Sequence, residues 1–221
     1  QIIIKLHKDN YVSVEDNGRG LPGDKHPDPN VSGIEVIMTN LHSGAKFSDK
    51  SYKFSGGLHG VGVSIVNALS QSLEVIVVRS RDTYQYEMSF SNGSIKKQLS
   101  KTKKNSKKKS GTIIKFKANE KYFDSNTLNI NELHNLIKAK SILQPGLKLQ
   151  VIDELYATGT TEYLHNGSLG DYLINSTNGL SFIPAKPCSG NFESSDLTID
   201  WSCLWLIDST DTIQSSYVNL I

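Results

Sequence analysis

Three features of this sequence predict an α/β fold of the α+β kind. Four strand-like runs between residues 73 and 117 are separated by tight turns, which makes an antiparallel block. Helical runs lie on either side of that block. A glycine-rich loop, Ser55-Gly56-Gly57-Leu58-His59-Gly60-Val61-Gly62, passes without a break into the apolar run Val63-Ser64-Ile65-Val66-Asn67-Ala68-Leu69.

Residues 1–6 and 11–14 predict a strand hairpin turned by Lys8-Asp9-Asn10. Glu15-Asp16-Asn17-Gly18-Arg19-Gly20-Leu21-Pro22-Gly23 is a strand end entering a tight loop, and the polar, proline-punctuated residues 24–30 continue it over the surface. Residues 33–42 have helical spacing, with Ile34, Ile37, Met38 and Leu41 on one face. Residues 43–55 are polar, too long for a simple turn, and lead into the central glycine loop, which marks them as a candidate lid. A helix over about 61–70 follows, then strands over 73–78, 84–90, 95–99 and 112–117, the second and third joined by Asn92-Gly93. Residues 130–143 predict an amphipathic helix closed by Pro145-Gly146, and 148–153 a strand. From about His165 the composition shifts to Ser, Asn and Thr. A short helix over 169–175, an apolar strand over 199–207 and a last strand over 217–221 are expected there. A domain boundary is expected near Leu164, with units 1–164 and 165–221.

Length and composition narrow the function classes. The 221 residues suffice for one large domain or two modest ones, and 37% hydrophobic with 21% charged residues fits a soluble globular chain. A net charge of +2 is too small to imply nucleic-acid binding by composition. No apolar run approaches the ~20 residues needed to span a bilayer. The two cysteines, Cys188 and Cys203, are expected to be reduced thiols in a cytosolic protein. The chain opens within an apolar run without Met, so a fragment lacking its natural N-terminus is expected. Lys101 to Lys109 holds six lysines in nine residues. It is expected to be a solvated hairpin loop, with contact to nucleic-acid phosphate as the alternative.

The chemistry centres on two glycine loops. In the later one, glycines at 56, 57, 60 and 62 let main-chain N–H groups approach a ligand that a Cβ would push away, and the helix behind adds unpaired donors and its dipole. Such a loop suits an anion, above all phosphate; it could equally reverse the chain before a helix. Gly18-Arg19-Gly20-Leu21-Pro22-Gly23 satisfies G-x-G-x-x-G, but a dinucleotide fold requires a helix at the third glycine, where Pro22 and the following loop forbid one. No Walker A pattern occurs. Asp16, where a strand meets the first loop, could accept a hydrogen bond from an exocyclic amine such as that of adenine, or cap its own loop as an Asx turn. Arg19 could pair with a carboxylate or lie exposed. Lys46 and Lys53 could reach phosphate or solubilise the lid. His59 could donate to a phosphate oxygen or simply pack.

Asp16-Asn-Gly-Arg-Gly20, Leu41-His-Ser-Gly-Ala-Lys-Phe47 and the stretch from Ser51 to Leu69 together resemble the B subunits of bacterial type II topoisomerases, members of the GHKL ATPases. The first block resembles that family's D-x-G-x-G box, the last its G-x-x-G-x-G box, and Gly111-Thr112 its later G-T box. The likeness continues through Ile142-Leu-Gln-Pro-Gly146 and Ser216-Tyr-Val-Asn-Leu-Ile221, so it covers essentially the whole chain. Gly190-Asn191-Phe192, Asp200-Trp201 and Leu204-Trp205-Leu206 are more similar to topoisomerase IV than to gyrase.

The resemblance implies a GHKL-type (Bergerat) sandwich, with one mixed, largely antiparallel sheet and helices on one face, followed by the start of a ribosomal-S5-like transducer domain. It implies ATP with Mg2+ as cofactor. Asp16 would bind the adenine amino group, with Thr112 and Gly20 helping through an ordered water. Val14, Leu21, Pro22, Ile37 and Ile114 would shape the adenine pocket, and Arg19 and Pro22 its mouth, where ATP-competitive inhibitors bind. Lys46, Tyr52, Gly57, Leu58, His59, Gly60, Val61, Gly62 and Val63 would wrap the ribose and phosphates as a lid. The family's general-base Glu and Mg2+-binding Asn would lie upstream of Gln1, so no catalytic or metal-binding residue is expected in this chain. Its nucleotide-sensing Gln and Lys would follow Ile221. Implied partners are a topoisomerase A subunit in an A2B2 heterotetramer, a second B subunit in an ATP-dependent homodimer, and duplex DNA, in the bacterial cytoplasm at the nucleoid and with no membrane. The alternatives are a gyrase B subunit, a non-hydrolysing nucleotide-dependent clamp, and a nucleic-acid-binding module using the lysine run.

Overall fold

The structure, a computed structural model, describes residues 1–21, 31–43, 60–80, 82–103, 110–125, 127–177, 179–195, 197–207, 212 and 214–218. Ten strands and four α-helices occur among them. In chain order they are β1 (Ile2–Leu6), β2 (Val12–Asp16), α1 (Gly33–Thr39), α2 (Gly62–Ala68), β3 (Ser70–Val78), β4 (Tyr84–Ser91), β5 (Ser94–Lys103) and β6 (Gly111–Ala118). A 3-10 turn at Glu120–Tyr122 leads to α3 (Ile130–Leu143), β7 (Leu149–Asp153), β8 (Gly159–Tyr163), α4 (Leu169–Ser176), β9 (Phe182–Glu193) and β10 (Thr198–Leu206).

Eight strands form one sheet in the order β5-β4-β3-β6-β2-β1-β7-β8, and β9 pairs with β10 in a separate ribbon. Every neighbour in the large sheet is antiparallel except β1 and β7, which run parallel. The sheet is therefore mixed and largely antiparallel, as expected.

Period-two alternation sorts the side chains between the two faces. Ile4 lies opposite Val14, Val14 opposite Ile114, Ile114 opposite Val75, and Val75 opposite Met88, so these five form one row on one face. Among the described residues, α1, α2 and α3 all lie on that face. Ile34 and Met38 of α1 are buried with Leu73, Val75, Val77, Tyr86, Met88 and Phe90, and Val63 and Val66 of α2 pack against them. Ile137 of α3 is buried with Ile4, Leu6, Leu149 and Val151. The opposite face mixes polar residues with Ile3, Ile76 and Ile113, and there Lys115 stands over the Tyr11 ring at 4.6 Å.

Local chemistry explains several element ends. Ser32 caps α1 by accepting from Glu35 N–H, Asn129 caps α3, and Ser168 with Asp171 forms a reciprocal capping box on α4. Asn92 and Gly93, both at positive φ, turn β4 into β5.

Several expectations are corrected. Leu41 lies past the end of α1 and is 60% exposed, whereas Val36 is buried instead. The strand preceding the lysine run extends to Lys103, so Lys101 to Lys103 belong to β5 rather than to a loop; residues 104–109 lie outside the described residues. β5 is an edge strand, and its lysines guard that edge against pairing with another chain. Tyr217 and Val218 are not in a strand, and residues 219–221 lie outside the described residues. β8 and β9 are strands beyond those the sequence predicts.

Candidate functional site

The site is a strip of the helix-bearing face that, among the described residues, no helix covers. Val12, Val14 and Asp16 point to this face from β2, as do Thr112, Ile114 and Phe116 from β6. One core cluster, under α1 and α2, ends at Ile114 and Phe116; the other, under α3, ends at Val12. Val14 joins neither and is 37% exposed although it sits in the middle of an eight-stranded sheet. An interior strand with an open valine supplies an apolar floor for a ligand.

Asp16 closes one end of this floor. Its Oδ1 accepts a hydrogen bond from Gly18 N–H at 2.7 Å, so the Asx-type cap weighed from sequence is present. Among the described residues this is the carboxylate's one hydrogen bond. An ionised carboxyl offers about four acceptor positions, so the cap leaves it able to receive an exocyclic amine as well.

Glycines fit the chain closely around this aspartate. A Cβ at Gly18 would stand 2.8 Å from Asp16 Oδ1, and one at Gly111 only 2.0 Å from the Asp16 carbonyl oxygen. Gly20 has φ +80°, and a Cβ there would meet Val78 O at 2.7 Å. The first loop is thereby laid directly on the ends of β3 and β6. Its exit is fixed by Thr112, a buried residue whose Oγ1 accepts from Leu21 N–H at 3.3 Å. Leu21 in turn packs against the cluster under α1 and α2.

The second loop enters α2 through Gly60 at φ +60° and Val61, which supplies no side-chain cap. Among the described residues, a Cβ at Gly62 would meet nothing within 4 Å. Val63 faces the core. Asn67 fixes α2 from below: it is buried, and its Nδ2 donates to Met38 O at 3.0 Å and Gly93 O at 3.2 Å. One amide thus ties α2 to α1 and to the β4–β5 turn.

The structure therefore brings together Asp16, Gly20, Leu21, Thr112, Val14 and Ile114 from the sequence expectation. Ile37 is half-buried on α1, and Arg19 is exposed on the first loop between Gly18 and Gly20. Pro22, Lys46, Tyr52, Gly57, Leu58 and His59 lie outside the described residues. Gly18, Gly111 and Asn67 were not singled out as site residues. Their signal lay in the motifs themselves, since a glycine beside a functional residue often marks a close backbone approach. Among the described residues, no three His, Cys, Asp or Glu side chains cluster to hold a metal ion.

Residues 1–121 match the family model for the histidine kinase-, DNA gyrase B- and HSP90-like ATPases. Over its whole length the chain is 43% identical to the B subunit of DNA topoisomerase 4 from Haemophilus influenzae, of which it covers 34%. It also resembles the solved topoisomerase IV ATP-binding domain of Francisella tularensis in complex with a small-molecule inhibitor. The TM-score is 0.77 at 38% identity, covering all of this chain and 56% of that one. The 43K ATPase domain of Thermus thermophilus gyrase B, in complex with an aminocoumarin, gives a TM-score of 0.74 at 27% identity, covering 90% of this chain and 49% of that one. The chain spans about a third of the length of the curated relatives it matches.

Proposed function

This chain belongs to the histidine kinase-, DNA gyrase B- and HSP90-like ATPase family, and from that membership we propose that it is the ATP-binding part of a topoisomerase IV-type B subunit. The observation that carries the reading is the uncovered strip over β2, an apolar floor at Val14 ending in the Asp16 carboxylate. Adenine lies on that floor with its amino group donating to Asp16. Thr112 and Gly20 hold an ordered water beside it, and Leu21, Pro22, Ile37 and Ile114 complete the pocket. Arg19 and Pro22 line the mouth, where ATP-competitive inhibitors would bind. Residues 57–63, with Lys46 and Tyr52, close over ribose and phosphates. Residues 1–164 form the nucleotide domain and 165–221 the first part of a transducer.

The site residues fit an aminopurine, since an anionic acceptor and an apolar face recognise its two chemistries. When bound, ATP supplies the phosphoryl bond whose hydrolysis resets the gate. This chain's own residues bind and orient the nucleotide. In this reading hydrolysis belongs to the intact protein. There, ATP binding dimerises two B subunits as a gate that captures duplex DNA, while the A subunit cuts and rejoins it in an A2B2 assembly.

The test pairs the intact protein with its A subunit on interlinked DNA circles. ATP-dependent unlinking is the expected result. ATP-driven negative supercoiling would instead assign a gyrase, and nucleotide binding without strand passage a clamp.

A further inference from the structure

The β9–β10 ribbon carries both cysteines of the chain, and its register sets them directly opposite each other, Cys203 against Cys188. Residues directly opposed in an antiparallel pair point to the same face, with Cα atoms about 4.5 or 5.5 Å apart according to the hydrogen-bonding class of the pair. Either separation lies within the ~4.4–6.8 Å that a disulfide spans. Both are free thiols, Cys188 exposed and Cys203 part-exposed.

Neighbouring contacts identify their face. Pro187 and Ser189 face α4, since a Cβ at Gly170 would stand 3.3 Å from Ser189 Oγ and 3.7 Å from Pro187 Cβ. Ser189 and Ser202, opposed to each other, share a hydrogen bond of 2.8 Å on that side. By alternation Cys188 and Cys203 point away from α4, onto the face where the Trp201 indole lies over Gly190. Among the described residues, no helix covers that face beside the pair. The register breaks between Cys203 and Trp205, so the strand has an irregularity next to the pair that can absorb a small backbone adjustment.

We infer that Cys188 and Cys203 constitute a reversible dithiol–disulfide site, oxidised by a peroxide. The thiolate of one cysteine attacks the peroxide, becoming a sulfenic acid and releasing water after proton uptake. The second thiolate then attacks the sulfenic sulfur, forming the S–S bond and expelling the oxygen as a second water. Two thiols and one hydrogen peroxide thus yield one disulfide and two waters. A dithiol reductant reverses the reaction by thiol exchange. The bridge would staple the ribbon across its width and enclose residues 189–202.

The experiment treats the intact protein with a small excess of hydrogen peroxide, quenches with an alkylating reagent, and cleaves at Glu193 and Asp200, which lie between the two cysteines. The expected product is a Cys188–Cys203 linked peptide pair about 2 Da lighter than the two reduced peptides together. It should be independent of protein concentration and be lost on treatment with dithiothreitol. In Cys188→Ser the linked pair should vanish and Cys203 be trapped as a sulfenic acid. Separate alkylation of both cysteines after peroxide, or linkage only between two chains, would overturn the inference. The wild-type measurement decides without depending on how the variant folds.

Discussion

The main-chain carbonyl of Asp16 lies so close to Gly111 that a Cβ on residue 111 would stand 2.0 Å from its oxygen. Gly111 also has φ +152°, a conformation that other residues rarely adopt. Gly111→Ala must therefore push the end of β2, and Asp16 with it, away from β6. The expected cost is about 1–3 kcal/mol of stability by overpacking, read from urea denaturation. Nucleotide affinity should fall with it by about tenfold or more, since each ~1.4 kcal/mol is a factor of ten.

Val14 is open while its row neighbours Ile4 and Val75 are buried. If this strip is the adenine floor, Val14→Trp fills it without disturbing either core cluster. The thermal midpoint should stay within a few degrees of wild type, and ATP-analogue affinity should drop by about a hundredfold, or ~2.7 kcal/mol. Unchanged affinity would place the base elsewhere.

Asn67 should be the most sensitive polar residue of the fold. Its amide satisfies Met38 O and Gly93 O, and among the described residues its own buried Oδ1 has no partner. Asn67→Ala leaves carbonyls of α1 and the β4–β5 turn without this donor, at a cost of about 1–3 kcal/mol. Asn67→Asp should be worse, because it also buries a charge with no counterpart. Urea midpoints of the two variants check the order.

Acid should weaken the fold in two stages. Burial lowers the His7 pKa below 6.5, and the positive charges of Lys115 and Lys5 act in the same direction against Asp9 and Glu154. The unfolded chain then binds the proton more readily, so stability falls as pH drops below 6.5 through the lower folded value. Burial opposes the charge of Asp153, but the Thr158 hydroxyl and the N–H groups of Tyr156, Thr158 and Leu155 outweigh it and hold the carboxyl below its usual 3.8. Its contribution is complete above that value and is lost as pH falls through the folded one. Urea midpoints across pH should show both slopes. His7→Gln should flatten the first and Asp153→Asn the second.

The parts of the fold legible in the sequence were those with strong local signals. Residues 130–143 carry an amphipathic helical stripe closed by Pro145-Gly146, and α3 occupies Ile130–Leu143. Asn92-Gly93 announced its hairpin. β9 was hidden because Pro184, Pro187 and Gly190 weaken a strand reading, yet a two-stranded ribbon leaves one side of each strand free of ladder bonds and tolerates them. β8 is a polar edge strand, Gly159–Tyr163, without the apolar alternation of a buried one. At the site, the glycines and Asp16 stood out as residue types. That Gly111 presses on Asp16, ninety-odd positions away, depends on the strand order β6-β2, which no local pattern encodes.

In the proposed site Asp16 receives the adenine amino group. Calorimetric titration of the intact protein with a non-hydrolysable ATP analogue and Mg2+, beside its Asp16→Asn variant, tests it most directly. Binding by the wild type and a loss of about 1–3 kcal/mol or more in the variant are expected. Equal affinity in the two proteins would contradict it.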